Sequence, residues 1–323
     1  MRDLHELPKF RDGWSYLYVE HCTVDQEAKA IAIHDKEGLV PVPCASLAVL
    51  MLGPGTKITH AAIRALADNG CLVVWCGEQG IRFYAQGMGE CRTSERLLRQ
   101  AKLCSDPELR LRVVLRLYEI RFGEPIPSGT PLNEVRGREG ARVREAYARA
   151  SRETGVPWRG RSYDRTNWGA GDPVNRALSA ANACLYGLCH AAIVSLGCSP
   201  GLGFIHTGRQ LSFVYDVADL YKTETTIPIA VRVAAGGAKN LEREARLACR
   251  DLFAEKKLLG RIVEDIDRVL GIEGVEVPGL EPPAGDDTAP GGIWDPQLGT
   301  VSGGVNYDPE AEEEAEAVDG ADT

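Results

Sequence analysis

The sequence predicts an α+β protein with a β-rich domain over residues 1–90, an all-α domain over residues 91–270 and a largely disordered tail over residues 271–323. Three observations lead to this division. Short β-branched or aromatic segments separated by turn residues fill the chain as far as about Gly87. From about Ser94 onward, apolar residues recur at helical spacing. The tail is rich in Pro, Gly, Asp and Glu, and such a composition buries too little apolar surface to fold.

In the first domain, strands are predicted at WSYLYVEH, KAIAIHD, LVPVP, CLVVWCG and IRFYAQG, with a further apolar segment at SLAVLML. The segment LGPGTKITH predicts a turn that leads into a helix near Ile58–Ala67. Its GPG triplet lacks the spacing of a dinucleotide-binding loop and the GK[ST] ending of a P-loop, which favours a purely structural turn.

In the second domain, helices are predicted at ERLLRQAKLC, ELRLRVVLRLYEIRFG, Pro131–Thr154, NRALSAANACLYGLCHAAIVSLG, Pro228–Ala235 and Leu241–Leu270. One more helix is predicted to start at Ser212, whose hydroxyl is expected to cap it by accepting a bond from an unpaired backbone N–H.

Composition excludes several classes of protein. The chain has 323 residues, 44% of them apolar, which is enough for a substantial core. No apolar run approaches the roughly 20 residues of a membrane helix, and the N-terminus lacks the apolar core of a signal peptide, so no membrane partner is expected. The 10 cysteines include no CxxC pair and lie in apolar segments, which predicts buried, reduced thiols in a cytoplasmic protein.

The net charge of −9 hides two oppositely charged parts. The segment after Leu270 holds 14 acidic residues and no Lys or Arg. Subtracting these from the total of 46 leaves 32 acids against 37 bases, so the body carries +5. A basic body permits a polyanionic partner, because Lys and Arg that neutralise phosphates release counterions. A charge of +5 spread evenly over the surface would not indicate such a partner.

One stretch, Leu202–Lys222, concentrates candidate metal ligands. His206 precedes a turn, and Asp216 and Asp219 are spaced i, i+3, so the two carboxylates are expected to share a helix face. Metal binding and a purely structural role both remain open here. Acids near a helix start are favoured by the macrodipole, and His206 can be a hydrogen-bonded core histidine.

A third carboxylate is available at Glu139, within RGREGARVR. Gly137 and Gly140 are poor helix residues, which suits a close approach by another backbone or a ligand. The surrounding arginines, including Arg138 and Arg142, suit contact with DNA phosphate. A solvated helix with local Glu–Arg pairs is the alternative.

Long motifs in the same order resemble one family from about Trp14 to Asp267. They are RGREGARVR, SAANACLYG, GFIHTGRQLSFVYDVADLYK and REARLACRDLF, with GPGTKITHAA and LVVWCGEQGIRFYA in the first domain. The chain resembles the integrase subunit of CRISPR adaptation, the first of the CRISPR-associated proteins, in its type I-E form. The resemblance implies an N-terminal β-rich domain for dimerisation and DNA contacts and a helical catalytic domain.

The resemblance also implies the site. The family's metal ligands fall on Glu139, His206 and Asp219, with Asp216 as a further catalytic aspartate. Oxygen ligands suit Mg²⁺, and the imidazole also suits Mn²⁺. In the family, the 3′-hydroxyl of a captured DNA fragment attacks a phosphodiester of the CRISPR repeat.

The resemblance also implies several DNA contacts, on motifs that are less specific than those of the metal site. His21 aligns with an aromatic residue that stacks on the duplex end, and Arg209, beside Tyr215, aligns with a lysine that helps to read the overhang. The remaining candidates are contacts to phosphates or to unpaired bases: Lys57, Arg64, Arg82, Arg138, Arg142, Tyr163, Trp168, Tyr186 and Lys222.

The expected function is therefore a cytoplasmic DNA integrase that inserts new spacers. Its expected partners are double-stranded fragments with single-stranded 3′ overhangs, CRISPR repeat and leader DNA, and a small companion subunit whose dimer bridges two dimers of this chain. The apolar residues of the tail between Ile293 and Tyr307 are candidates for docking on a partner. A general metal-dependent nuclease acting on branched DNA and a non-catalytic DNA-binding scaffold are the alternatives.

Overall fold

A computed structural model of the chain describes residues 16–27, 30–80, 83–87, 94–161, 172–271, 293–296 and 299–301. The chain divides into two units, Met1–Val275 and Glu276–Thr323. In the first unit, strands occupy the N-terminal part and helices the remainder, which confirms the predicted α+β class.

The strands of the first unit form two four-stranded sheets. Their bounds are β1 Tyr16–Val19, β2 Thr23–Glu27, β3 Ala30–His34, β4 Leu39–Pro43, β5 Val49–Leu52, β6 Lys57–Ile58, β7 Leu72–Cys76 and β8 Phe83–Gln86. One sheet has the order β1-β5-β7-β8 and is parallel except for the β7–β8 pair. The other has the order β4-β3-β2-β6, with only β2 and β6 parallel. Helix α1, His60–Asp68, connects β6 to β7.

The described helices other than α1 begin after the last strand of these sheets. They are α2 Glu95–Ser105, α3 Pro107–Phe122, α4 Leu132–Thr154, α5 Pro173–Ser195, α6 Ser212–Ala218, α7 Thr226–Ala235, α8 Leu241–Glu255 and α9 Leu258–Leu270. The predicted helical range Leu241–Leu270 is interrupted at Lys257, whose φ of 47° lies in the left-handed region. That conformation cannot continue a right-handed helix, so α8 and α9 are separate.

One of the hydrophobic clusters among the described residues joins the strands to the helices. Met51 and Val74, from β5 and β7, belong to the same buried cluster as Leu185 of α5. At Gly187, an added Cβ would lie 2.2 Å from the carbonyl oxygen of Gly80, so the helix and a turn of the strand region meet backbone to backbone. One side of this sheet therefore packs on the helices, whereas Leu50 and Val73 of the same strands belong to a separate cluster within the strand region.

Helix α5 lies at the centre of this core. It contacts α6, α7, α8 and α9 as well as β7. By length and composition it is apolar enough to cross a membrane, so the expectation that no apolar run approaches that length underestimates it. Most of the helix is buried within the protein, which accounts for its apolar composition.

The described cysteines are free thiols, and all except the partly buried Cys104 are buried. Burial raises the pKa of Cys71 and of Cys76 to about 12, because a thiolate would lose its solvation. These thiols therefore stay protonated and pack as small apolar side chains, and the prediction of buried cysteines is confirmed for the described ones other than Cys104.

The second unit contains an antiparallel pair of strands, β9 Ile293–Asp295 and β10 Gly299–Val301. This pair falls within the tail that was predicted to be largely disordered, at the apolar segment singled out for partner docking.

Candidate active site

The loop that carries His206 is held in place by α2 and α3. Gln100 is fully buried and donates to the carbonyl oxygens of Ser199 and Leu202, each at 2.9 Å, while its own amide oxygen accepts from the Ser199 N–H. Arg110 donates to the carbonyl oxygen of Phe204 at 2.8 and 3.0 Å. A buried amide and a guanidinium thus satisfy main-chain groups that a loop would otherwise leave unpaired.

Asp216 organises the end of this loop. Its side chain is fully buried, and its two oxygens accept the backbone N–H groups of Phe204, Ile205 and His206 at 2.6, 3.1 and 2.9 Å. One oxygen also lies 2.7 Å from His206 Nδ1. Because a carboxylate can only accept, Nδ1 carries a proton, and in the neutral imidazole Nε2 then presents its lone pair. Asp216 therefore orients His206 and does not itself face a substrate.

The prediction that Ser212 caps α6 is wrong. Its hydroxyl donates to the carbonyl oxygen of Arg209 at 2.9 Å and accepts the Arg209 N–H at 3.1 Å, closing the preceding turn on itself. Leu211 takes the cap position without a side-chain bond. Asp219 directly follows the last residue of α6, Ala218, and keeps helical backbone angles, but its side chain bonds a different set of partners from that of Asp216.

Glu139 of α4 and Asp219 are brought together by Arg121 of α3. The two guanidinium Nη atoms of Arg121 lie 3.6 Å from Glu139 Oε1 and 3.7 Å from Asp219 Oδ2. The Arg121 side chain is only 3% exposed, against 14% for Glu139 and 23% for Asp219. Arg121 also donates to the main-chain carbonyl of Asp216 at 3.3 Å. A buried cation thus links the elements that carry the predicted carboxylate ligands.

Each of these carboxylates has a second cationic partner nearer the surface. Arg142, one turn along α4, donates to both oxygens of Glu139 at 2.8 and 3.1 Å, and to the hydroxyl of Thr223 at 2.8 Å. Lys222 Nζ lies 2.6 Å from Asp219 Oδ1. Burial alone would raise the pKa of Asp219, but Lys222 and then Arg121 outweigh it, and its pKa is lowered.

Three predicted DNA-contacting side chains surround this pair. Tyr186 of α5 meets Tyr215 of α6 edge to face, with ring centroids 5.1 Å apart, and Lys222 Nζ lies 4.8 Å from the Tyr186 centroid. Tyr215 in turn contacts the His206 ring at 5.8 Å. A continuous series of contacts therefore runs from His206 through the two tyrosines to Lys222 and Asp219.

The other predicted contacts lie elsewhere. Exposed His21, Lys57 and Arg64 belong to the strand region, and exposed Arg209 lies on the turn before α6. Arg138 of α4 pairs with Glu124. The candidates Arg82, Tyr163 and Trp168 lie outside the described residues.

The donor chemistry fits a divalent metal, although no ready-made metal cluster of three or more His, Cys, Asp or Glu occurs in the part of the chain that the structure describes. Glu139 and Asp219 supply carboxylate oxygens. His206 supplies Nε2 from a ring whose Nδ1 is held by a buried carboxylate, which is the usual arrangement of a metal-bound histidine. The carboxylates are instead held by Arg121, the residue of this site that sequence reasoning missed.

A signal for Arg121 was present in the sequence. It follows Val114 by seven positions and Leu117 by four, which places it on the buried stripe of α3. A charged residue on such a stripe is almost never buried without a partner, so its position alone pointed to a buried carboxylate.

Comparison with known proteins assigns the chain to a family. Residues 16–123 and 119–240 match the family model described as CRISPR associated protein Cas1. The chain belongs to the Cas1 family. The CRISPR-associated endonuclease Cas1 2 of Thermus thermophilus is 59% identical over 307 residues, which cover 95% of this chain and 94% of the relative. The CRISPR-associated endonuclease Cas1 of Escherichia coli is 43% identical over 276 residues, 85% of this chain and 90% of the relative.

Solved structures of Cas1 proteins are also similar to this chain. The structure named TtCas1-DNA complex superimposes with a TM-score of 0.71 at 60% identity, over 82% of this chain and 99% of the other. A Cas1 protein from Thermotoga maritima, at 14% identity and a TM-score of 0.54 over 81% of this chain and 99% of the other, shares the fold. The predicted membership of this family is therefore confirmed, and the type I-E form stays a prediction.

Proposed function

We propose that this chain is a divalent-metal-dependent DNA integrase that inserts captured DNA fragments as new spacers into a CRISPR array. One observation carries the proposal: buried Asp216 fixes the tautomer of His206 so that Nε2 is free, beside a site that holds Glu139 and Asp219 through Arg121. The names of its relatives, endonucleases and a DNA complex among them, support the choice of substrate.

The proposed reaction is a phosphodiester transesterification. The 3′-hydroxyl oxygen of the fragment forms a bond to a repeat phosphorus, and the bond from that phosphorus to its 3′-bridging oxygen breaks. The attacking hydroxyl loses its proton and the departing oxygen gains one, so water is not consumed. Mg²⁺ or Mn²⁺, when bound by Glu139, His206 and Asp219, supplies Lewis-acid stabilisation of the phosphoryl charge.

The remaining work falls to residues of this chain. Arg142 and Lys222 bind phosphate oxygens, Arg142 through its planar fork and Lys222 as a point charge. Tyr186 and Tyr215 offer aromatic surfaces to the unpaired bases of a 3′ overhang, since stacking of this kind tolerates any sequence. Asp216 acts through His206, as a positioning residue.

Assembly belongs to the same proposal. The chain acts in the cytoplasm as a homodimer, and a dimer of a small companion subunit bridges two such dimers. His21, Lys57 and Arg64 then contact the duplex part of the fragment through its backbone and its end. Such phosphate contacts fix register and affinity and leave the chemistry to the helical region.

The decisive experiment is strand transfer of a labelled fragment with 3′ overhangs into a supercoiled plasmid bearing a repeat, with the companion subunit and Mg²⁺ or Mn²⁺. Joined product is expected, and removal of the metal with EDTA is expected to abolish it. Cutting without joining would instead identify a general nuclease, and binding alone would identify a scaffold.

The matched variants are Asp219→Ala and Arg64→Ala. Asp219→Ala should abolish joining while fragment binding is nearly unchanged, because phosphate contacts elsewhere supply the affinity. Arg64→Ala should weaken fragment binding and leave the joining rate of bound fragment intact. Equal joining by Asp219→Ala and wild type would remove Asp219 from the mechanism.

A further inference from the structure

The two carboxylates that the proposed function assigns to the metal are already neutralised by cations of this chain. Both oxygens of Glu139 accept from Arg142, and its Oε1 also lies 3.6 Å from Arg121. The two oxygens of Asp219 lie 2.6 Å from Lys222 and 3.7 Å from Arg121. All four carboxylate oxygens therefore have a cationic nitrogen within 4 Å.

The three cations differ in their freedom to move. Arg121 is 3% exposed and is anchored to the main-chain carbonyl of Asp216, so it is a fixed part of the interior. Arg142 and Lys222 are more exposed, at 27% and 22%, and their other contacts are to uncharged groups: Arg142 donates to the Thr223 hydroxyl, and Lys222 lies over the Tyr186 ring. The same two side chains are the ones suited to bind a DNA phosphate at this site.

The formal charges of the site cancel in the free protein. Among the described residues of the site, Glu139, Asp219 and buried Asp216 carry −3, and Arg121, Arg142 and Lys222 carry +3. A divalent cation that enters the free protein thus meets no net negative charge and must displace a side-chain cation from each carboxylate. A DNA phosphate changes both conditions, because it adds negative charge and offers Arg142 and Lys222 another anion.

We propose that Arg142 and Lys222 are exchangeable counterions, which hold Glu139 and Asp219 in the free protein and transfer to DNA phosphate on binding, so that the divalent metal and DNA bind cooperatively. The inference rests on the proposed function, from which it takes the metal ligands and the DNA. Linkage makes the effect reciprocal: the metal tightens DNA binding by the same factor by which DNA tightens metal binding.

The test measures Mn²⁺ binding without any reaction. The electron paramagnetic resonance signal of free Mn²⁺ is titrated with the full chain, alone and saturated with a synthetic duplex carrying 3′ overhangs, and the Mn²⁺ bound by the duplex alone is subtracted. The dissociation constant for Mn²⁺ is expected to fall about tenfold or more when DNA is present. Equal dissociation constants with and without DNA would overturn the proposal, and this comparison needs only the wild-type protein.

Variants then assign the effect to the two side chains. Arg142→Gln and Lys222→Gln should each tighten Mn²⁺ binding in the DNA-free protein about fivefold, and each should reduce the enhancement by DNA. A gain of affinity is informative because misfolding does not produce one. The control is Arg152→Gln, also on α4, which removes an equal charge from an exposed pair with Glu145 and should leave Mn²⁺ binding unchanged. Weaker Mn²⁺ binding in Arg142→Gln and Lys222→Gln, or an equal gain in the control, would overturn the proposal.

The outcomes separate this inference from the proposed function. Cooperative Mn²⁺ and DNA binding without strand transfer would reject the integrase and keep the counterion exchange. Strand transfer by a protein that binds Mn²⁺ equally well without DNA would keep the integrase and reject the exchange.

Discussion

Replacement of Arg121 by methionine tests how the site is held together. The substitution keeps an unbranched apolar side chain on the buried stripe of α3 but removes the cation between Glu139 and Asp219. Loss of one partner from a buried ion pair typically costs about 3–5 kcal/mol, because a charge is left uncompensated. Here Glu139 keeps Arg142 at 2.8 Å and Asp219 keeps Lys222 at 2.6 Å. We therefore expect a smaller loss of stability, about 2–3 kcal/mol.

The assay is guanidinium unfolding of Arg121→Met and wild type, each with and without Mn²⁺. The variant should unfold at lower denaturant concentration, and Mn²⁺ should restore more stability to the variant than to wild type, since a ligand stabilises the state that binds it more tightly. Arg121→Lys, which keeps the charge but cannot span both carboxylates, should fall between the two. An Arg121→Met protein as stable as wild type, or one that responds to Mn²⁺ no more than wild type, would refute the assignment.

Three further predictions concern local packing and protonation. Gly203→Ala should lower stability by about 1–3 kcal/mol and impair joining, because its Cβ would lie 2.5 Å from the carbonyl oxygen of His206; thermal unfolding and strand transfer measure both effects. Gly137→Ala should instead stabilise α4 by about 1 kcal/mol, because its Cβ meets no atom within 4 Å, and a drop in DNA affinity despite that gain would show that DNA approaches this face. Burial lowers the pKa of His190 to about 4 from 6.5, so the unfolded chain binds the proton more tightly and stability falls as the pH drops below 6.5. Between pH 7 and pH 5 this should cost wild type about 2 kcal/mol more than His190→Phe, and parallel pH profiles would contradict it.

The sequence predicted the elements better than the contacts between them. Hydrophobic periodicity located α3 and α5, and short β-branched runs located β3 and β7, because both signals are local. The Ser212 cap failed because a hydroxyl can bond backward into a turn as readily as forward into a helix. The sequence letters do not distinguish these two choices.

The residues of the candidate site could be predicted from the sequence, but the contacts between them could not. Glu139, His206 and Asp219 were found through long motifs, yet the sequence could not show that Asp216 would turn inward while Asp219, three residues on, would meet Arg121. That difference depends on where α6 ends and on the packing of α3 against it. Arg121 lies 18 residues from Glu139 and 98 from Asp219 in the printed sequence, so no local pattern connects them.

The acceptor arrangement of Asp216 has a consequence for how the site can vary. Three of its four donors are main-chain N–H groups, which every amino acid except proline provides. Residues 204 and 205 can therefore exchange side chains without removing a donor from the aspartate, whereas the aspartate itself has no substitute with two acceptor oxygens at that reach. The orientation of the imidazole therefore depends mainly on the backbone N–H groups that hold Asp216. A designer who wished to transplant it would need to copy one turn and one carboxylate, and would be free to choose the neighbouring side chains for packing alone.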